Sequence, residues 1–318
     1  MRYFIVALLA WLAAIGPCRA EGYPNRSIHL IVPTGPGGIT DLLARLVGER
    51  LSKAAGQPVI VENRIGAGGV TGSHYVAQAA PDGYTLLFAF PSHTVNAALY
   101  TKLPYDALGS FAPVTMISTF PSVLEVRPNF PARTVQELIA LAKSKTDPLT
   151  YASVGNGSLA FLSAALFAVE ADINLVQAPY ESVPEAAMAL QSGDVDMFFD
   201  TPVTAIPLIK AGKVRALAVT SETRQPSMPD VPSVSETVPG YKALGWNGVL
   251  APKGTPEAVI ERLNQLIVGL LRTPEMQAEL TGMGVEVVGN TPNQFRAAIG
   301  TDITKWSAVI KEAGIQPD

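Results

Sequence analysis

Short apolar runs that end at glycine or proline alternate along the chain with stretches whose apolar residues recur at helical spacing. Ile28-His29-Leu30-Ile31-Val32 reads as a strand stopped by Pro33, and Thr34-Gly35-Pro36-Gly37-Gly38-Ile39-Thr40 follows as a glycine-rich loop. Asp41 then opens a predicted helix whose apolar face is Leu42, Leu43, Leu46, Val47 and Leu51. The order repeats with Val59-Ile60-Val61-Glu62-Asn63, the loop Gly66-Ala67-Gly68-Gly69 and a helix through Tyr75 to Ala80. Pro81-Asp82-Gly83 is a turn, and Tyr84 to Phe90 a strand. The middle of the chain restarts the pattern. Thr134-Val135-Gln136-Glu137 is a capping box before a helix at Leu138–Lys143, and Leu149 to Ser153 is a strand. Gly155-Asn156-Gly157-Ser158 is a tight loop, and Leu159, Leu162, Leu166 and Phe167 share one helix face. Asp196 to Phe199, Arg215 to Thr220 and Trp246 to Leu250 read as further strands, with a proline-rich crossing from Gln225 to Pro239. The tail reads as all helical, with Thr255-Pro256, Thr273-Pro274 and Thr291-Pro292 as cap and first turn of three helices. Strand, loop and helix in alternation predict α/β architecture with largely parallel pairing.

Composition sets the scale. A chain of 318 residues, 48% hydrophobic and 16% charged, has material for about two packed domains and is not disordered. A formal charge of −4 excludes a basic nucleic-acid footprint. At the start, Arg2 precedes twelve uninterrupted apolar residues, Phe4 to Ile15, and Gly16-Pro17 breaks the run. Cys18-Arg19-Ala20 offers small residues at the cleavage positions. Residues 1–20 therefore read as a secretory signal peptide cut before Glu21, too short to span a bilayer comfortably. Cleavage removes two arginines and Cys18, leaving a charge of −6 and no cysteine. Disulfides, thiolate catalysis and cysteine-held metals are thereby excluded.

The chemistry concentrates in two matching loops. Pro33–Asp41 and Ser153–Ser158 each join the end of a strand to the start of a helix. Glycines allow a ligand close to the backbone, and the free N–H groups and dipole of the helix N-terminus favour an anion. One such socket in each half of the chain suits a small anion with one or more carboxylates; the alternative is that the glycines serve only as turns. The ligand-binding candidates are Gly37, Gly38, Ile39, Thr40, Ser153, Gly155, Asn156, Gly157 and Ser158, with Ser92 and Asp200 at strand ends.

Other chemistries find little support. Gly66, Gly68 and Gly72 miss the dinucleotide spacing by one residue, and no Gly-Lys-Ser/Thr follows any glycine loop. No Gly-x-Ser-x-Gly elbow occurs. Of the three histidines, His29 alternates within a strand, His74 lacks a partner at helical spacing, and His93 reads as binding or structural rather than catalytic. Asp194-Val195-Asp196 lacks the ligand spacing of a calcium loop. Trp246 reads as core, with an aromatic lid as the alternative. No catalytic residue, metal or cofactor is expected.

In combination these stretches resemble the periplasmic solute-binding receptors of tripartite tricarboxylate transporters, the Bug proteins. The resemblance covers the chain from Tyr23-Pro24 onward. It is carried by Val32-Pro33 with Gly37-Gly38 and Asp41, by Glu62-Asn63-Arg64 before the glycines at 66–69, and by Pro81-Asp82-Gly83-Tyr84-Thr85. Leu103-Pro104-Tyr105-Asp106, Phe111-Ala112-Pro113-Val114, Gly193-Asp194-Val195-Asp196, the run Lys213–Ser221 and Ala251-Pro252-Lys253-Gly254-Thr255-Pro256 complete it.

The resemblance implies a two-lobed, hinged "Venus flytrap" of the type II periplasmic-binding-protein kind. Residues 22–122 plus 246–318 would form lobe one and residues 123–245 lobe two. It implies a monomeric, non-enzymatic receptor in the periplasm. Such a receptor holds a small organic carboxylate through backbone groups of one loop per lobe and delivers it to the transporter's membrane subunits. Those loops map to Gly37-Gly38-Ile39-Thr40 and Ser153–Ser158, the same two sockets. The alternatives are a ligand sensor feeding a two-component kinase and a hydrolase or lyase on the same fold using His93 or Asp200 as base. Two departures stand in lobe two: Phe161 where the family often has His, and Glu181-Ser182 where Lys-Gly is common.

Overall fold

The computed structural model describes residues 22–315, so the predicted leader lies outside the described residues. β1 (Ile28–Val32) is apolar on both faces, as a central strand covered by helices on either side requires. Ile28, Leu30 and Val32 enter one core cluster and Ile31 another. It lies between β2 (Val59–Asn63) and β3 (Thr85–Ala89), parallel to both. β3 is followed across the sheet by β10 (Leu244–Pro252), β4 (Phe111–Pro121) and β11 (Glu286–Val287). The second sheet runs β7 (Leu175–Pro179), β6 (Leu149–Ser153), β8 (Met197–Asp200), β5 (Val123–Val126), β9 (Arg215–Val219).

The α/β alternation is as expected; largely parallel pairing is not. Each sheet has two parallel pairs, β1 with β2 and β3, and β6 with β7 and β8, and every other pair is antiparallel. The chain passes from β4 to β5 through Ser122 alone and returns through 220–243 into β10. β4 and β10 meet the crossings with opposite ends, as do β5 and β9, so each of these pairs runs antiparallel. The tail is likewise not all helical: β11 pairs Glu286 with Thr119 and Val287 with Ser118 of β4.

Helices cover both faces of the first sheet. α1 (Ile39–Ala55) buries Leu43, Val47 and Leu51, the predicted stripe, while Leu42 stays partly exposed. The helix starts at Ile39, two residues before the predicted Asp41, because Gly38 is extended and Ile39 already helical. α2 (Val70–Ala77) and α3 (Ser92–Leu99) follow β2 and β3. In the second unit, α4 (Val135–Ser144) is capped by Thr134 Oγ1, which accepts from Glu137 N at 3.1 Å. Glu137 returns its bond to Arg133 N rather than Thr134, so only half of the predicted box forms. α5 (Leu159–Ala171), α6 (Val183–Ser192) and α7 (Pro202–Lys210) follow β6, β7 and β8.

The chain ends with α8 (Glu257–Leu271), α9 (Pro274–Gly282) and α10 (Pro292–Glu312). Thr273 and Thr291 cap α9 and α10 as expected. Thr255 does not: Pro256 takes the cap position, and Thr255 Oγ1 donates to Pro252 O at 2.8 Å. α10 buries its own Phe295 and Ile299 in a core cluster of the first unit and its Trp306, Val309 and Ile310 in the core of the second. Among the described residues no helix is long and apolar enough to cross a membrane.

Candidate functional site

The first loop is braced from below. Gly37 has φ 86°, the left-handed region where a side chain is strained. Its N–H donates to Asp41 Oδ2 at 3.1 Å, and Asp41 also accepts from Arg45 Nε (3.0 Å) and Asn63 Nδ2 (2.8 Å). Asn63 Nδ2 reaches Thr34 O as well, at 3.0 Å, and Arg45 donates to Asn63 Oδ1 at 2.8 Å. Burial pushes the Asp41 carboxyl up, but these hydrogen bonds and the Arg45 charge outweigh it and hold Asp41 below the usual carboxylate range. The loop is thus fixed by a network in which Arg45 balances the charge of Asp41.

Gly38 occupies the N-cap position of α1 with φ −79° and ψ 166°, and among the described residues no side chain bonds the first-turn N–H groups. A Cβ built on Gly38 meets nothing within 4 Å, so the space beside it is open. Uncapped N–H groups at a helix start, beside open space, suit an anion. Thr40 is buried and turned inward, its Oγ1 accepting from Asn247 Nδ2 at 3.2 Å.

The second loop is held differently. Ser153 Oγ accepts from Gln177 Nε2 at 2.7 Å, and the same nitrogen lies 3.2 Å from Asn156 Oδ1. Gly157 has φ 78°, and a Cβ there would stand 3.3 Å from Leu99 of α3. Ser158 Oγ accepts from Phe161 N at 3.3 Å, so its hydroxyl caps α5. The loop meets the first-sheet unit directly: Ser92 Oγ donates to Gly157 O at 2.9 Å. Next to this contact, Asn96 Nδ2 donates to Gly68 O at 3.1 Å, placing the third glycine loop beside the second.

The structure therefore joins Ser92 to the second loop, and groups Ser153, Asn156 and Gly157 with it. No hydrogen bond among the described residues links that loop to Gly37–Thr40. Asp200 stands apart: it is buried at the end of β8, with Oδ1 accepting from Thr201 N at 2.6 Å. His93 is fully buried, stacked on Tyr105 and edge-on to Phe111, with Nε2 donating to Ala107 O at 2.8 Å. Burial pushes its pKa down to about 4, which makes it a neutral core residue. Trp246 is core as well, donating from Nε1 to Asp302 at 3.0 Å. Among the described residues no group of three His, Cys, Asp or Glu side chains is placed to hold a metal.

The sequence reading did not assign Arg45, Gln177 or Asn247 to the loops. Arg45 carried a local signal, standing four residues after Asp41 on one helix face. Gln177 and Asn247 reach the loops from strands distant in sequence, and no local pattern marks them. The two departures in the second unit are structural here. Phe161 is buried in the core, Ser182 caps α6, and Glu181 N donates to Glu185 at 3.0 Å.

Residues 43–315 match the tripartite tricarboxylate transporter family receptor. The chain belongs to that family. BugT of Bordetella pertussis is 35% identical over 309 residues, which span 96% of this chain and 95% of BugT. Among solved structures, Rpa4515 of R. palustris with adipate has a TM-score of 0.87 at 34% identity, covering 93% of this chain and all of that one. MatC from Rhodopseudomonas palustris with bound malate has a TM-score of 0.83 at 33% identity, covering 91% and 100%. The fold is accordingly that of the family's periplasmic binding proteins, two α/β units built on separate sheets.

Proposed function

We propose that this chain is an exported receptor that closes around a small organic carboxylate and delivers it, unchanged, to the membrane subunits of a tripartite tricarboxylate transporter. The carrying observation is the start of α1: a rigidly braced glycine loop whose first-turn N–H groups have no side-chain cap and face open space. Adipate and malate in the related Rpa4515 and MatC support a dicarboxylate as the ligand class. One carboxylate would dock on the N–H groups at Gly38–Thr40, and the other on the loop Ser153–Ser158. Ser92 would act as a latch between the units, through its bond to Gly157 O, rather than as a ligand contact.

Residues 22–122 with 246–318 and residues 123–245 act as the two lobes, with the hinge where the chain changes sheets. Thr220 ties both crossings there. Its Oγ1 accepts from Ser122 N and donates to Ala243 O, each at 2.6 Å. Its N–H donates to Ser122 O and its carbonyl accepts from Ala243 N, both at 2.9 Å. Residues 1–20 are the export signal, and the mature receptor works as a monomer in the periplasm without a cofactor.

A thermal-shift series on residues 21–318 tests this. Malate, adipate and related di- and tricarboxylates are compared with their amides. At least one acid is expected to raise the melting temperature while its amide does not, and the bound acid is expected to be recovered chemically unaltered. A panel in which acids and amides behave alike, or in which an acid is consumed, would overturn the reading.

A further inference from the structure

Away from both loops, the second sheet buries two acids. Glu125 of β5 has no exposed surface, and Asp200 of β8 is 1% exposed. The strands pair antiparallel with Val123 opposite Asp200 and Glu125 opposite Phe198. Side chains alternate along a strand, so Glu125 and Asp200 are diagonal neighbours on one face. Their surroundings are apolar: Val123, Ala205, Val219 and Met228 form a cluster there. Three of the four carboxylate oxygens, both of Glu125 and Oδ2 of Asp200, are buried without a hydrogen-bond partner.

The charged groups of the neighbouring elements are engaged elsewhere. Arg127, just after β5, pairs with Asp196, just before β8, at 3.8 Å and lies over the Phe130 ring. Arg215 of β9 donates to the carbonyls of Pro128, Phe130 and Ala132. Lys210 at the end of α7, Glu185 of α6 and Asp230 after β9 are exposed to solvent. Arg224 is paired with Glu236. Two adjacent carboxylates without a cation cannot both stay ionised in an apolar site, because desolvation and mutual repulsion both oppose charge.

We propose that Glu125 and Asp200 form a single buried proton-binding site, which keeps a proton at neutral pH and gives it up, at a cost in stability, as the solution turns alkaline. Protonation removes the repulsion between the two carboxylates, and a carboxyl O–H can donate where the bare oxygens only accept. Burial pushes Asp200 up to about 8, and burial with repulsion from Asp200 pushes Glu125 well above the usual range. The direction follows from linkage. Between the ordinary carboxylate range and about pH 8 the folded chain keeps a proton that the unfolded chain has released, so stability falls as pH rises through that window. The pair lies close to the boundary between the units. Thr201, immediately after Asp200, stands at the N-cap position of α7 without a side-chain cap bond, and Pro202 packs on Gly284 of the first unit, within 2.5 Å of where a Cβ would stand.

Thermal unfolding of the ligand-free protein from pH 5 to 9 tests the site independently of what the receptor binds. Wild type is compared with E125Q, D200N and the double variant. The wild-type melting temperature is expected to fall with pH by roughly 5 °C more than that of the double variant, with each single variant between them. A wild-type infrared band from a protonated carboxyl at pH 7, lost in the double variant, is the second readout and needs no stable single variant. Parallel pH profiles for wild type and double variant, with no such band, would overturn the proposal. So would a sodium- or potassium-dependent stabilisation confined to wild type at fixed ionic strength, which would put a metal ion in the proton's place.

Discussion

Asp41 shows how an acidic residue can sit beneath a loop that we propose binds an anion. Its charge sits under the loop, where a bare carboxylate would repel an anionic ligand, but Arg45, Asn63 and the Gly37 N–H absorb it. The carboxylate thus shapes the loop while its charge is balanced. Asp41→Asn removes the ionic bonds while keeping the volume, and is expected to cost about 1–3 kcal/mol in denaturant unfolding. Because these interactions hold Asp41 below its ordinary range, the stability it adds is present above that range and lost as pH falls through it. The gap between wild type and Asp41→Asn should therefore narrow in acid. A gap that is constant with pH would mean that only the shape of the side chain matters.

Among the elements, the helix starts separate two uses of one motif. α1 begins at a glycine without a cap, whereas α5 begins at Ser158, whose hydroxyl accepts from Phe161 N. Ser158→Ala is expected to destabilise the fold by about 0.5–2 kcal/mol, as cap removal does. Its effect on carboxylate affinity should be small, since the hydroxyl is already engaged. A large loss of affinity at unchanged stability would instead make Ser158 a ligand contact. The βα order, both glycine loops and most strand positions were legible because apolar periodicity and glycine punctuation are local signals. The antiparallel strands β4 and β5 were not. Their register is set by pairing with β10, β8 and β9, strands distant in sequence, which no local residue encodes. The acid pair was half visible. Asp200 stood out at the end of an apolar strand, but Glu125 becomes its neighbour only through sheet pairing.

At the scale of the whole molecule, α10 and the Thr220 clamp both link the sheet units. α10 inserts Trp306 into the second core, with its indole nitrogen donating to Asp302 at 2.9 Å, and Asp302 also accepts from Thr94 and Trp246. Trp306→Ala is expected to cost about 3–5 kcal/mol in denaturant unfolding, as removal of a fully buried aromatic does. The Thr220 clamp is the second connection, and Thr220→Val keeps its shape while deleting both hydroxyl bonds. Small-angle scattering of ligand-free Thr220→Val should report a broader range of lobe separations than wild type. An unchanged profile would mean that the crossing strands alone set the hinge. The central claim, that α1's uncapped start holds a carboxylate, is tested most directly by calorimetric titration of residues 21–318 and of Gly38→Val with malate and adipate. Gly38 has a backbone conformation open to any residue and free space at its Cβ, so the variant should fold with the wild-type circular dichroism spectrum. Its isopropyl group would occupy the place of the carboxylate. The expected result is one-site binding of at least one of the two acids by wild type and at least a tenfold loss in the folded variant, about 1.4 kcal/mol or more. Near-native affinity in folded Gly38→Val would show that the first loop is only a turn.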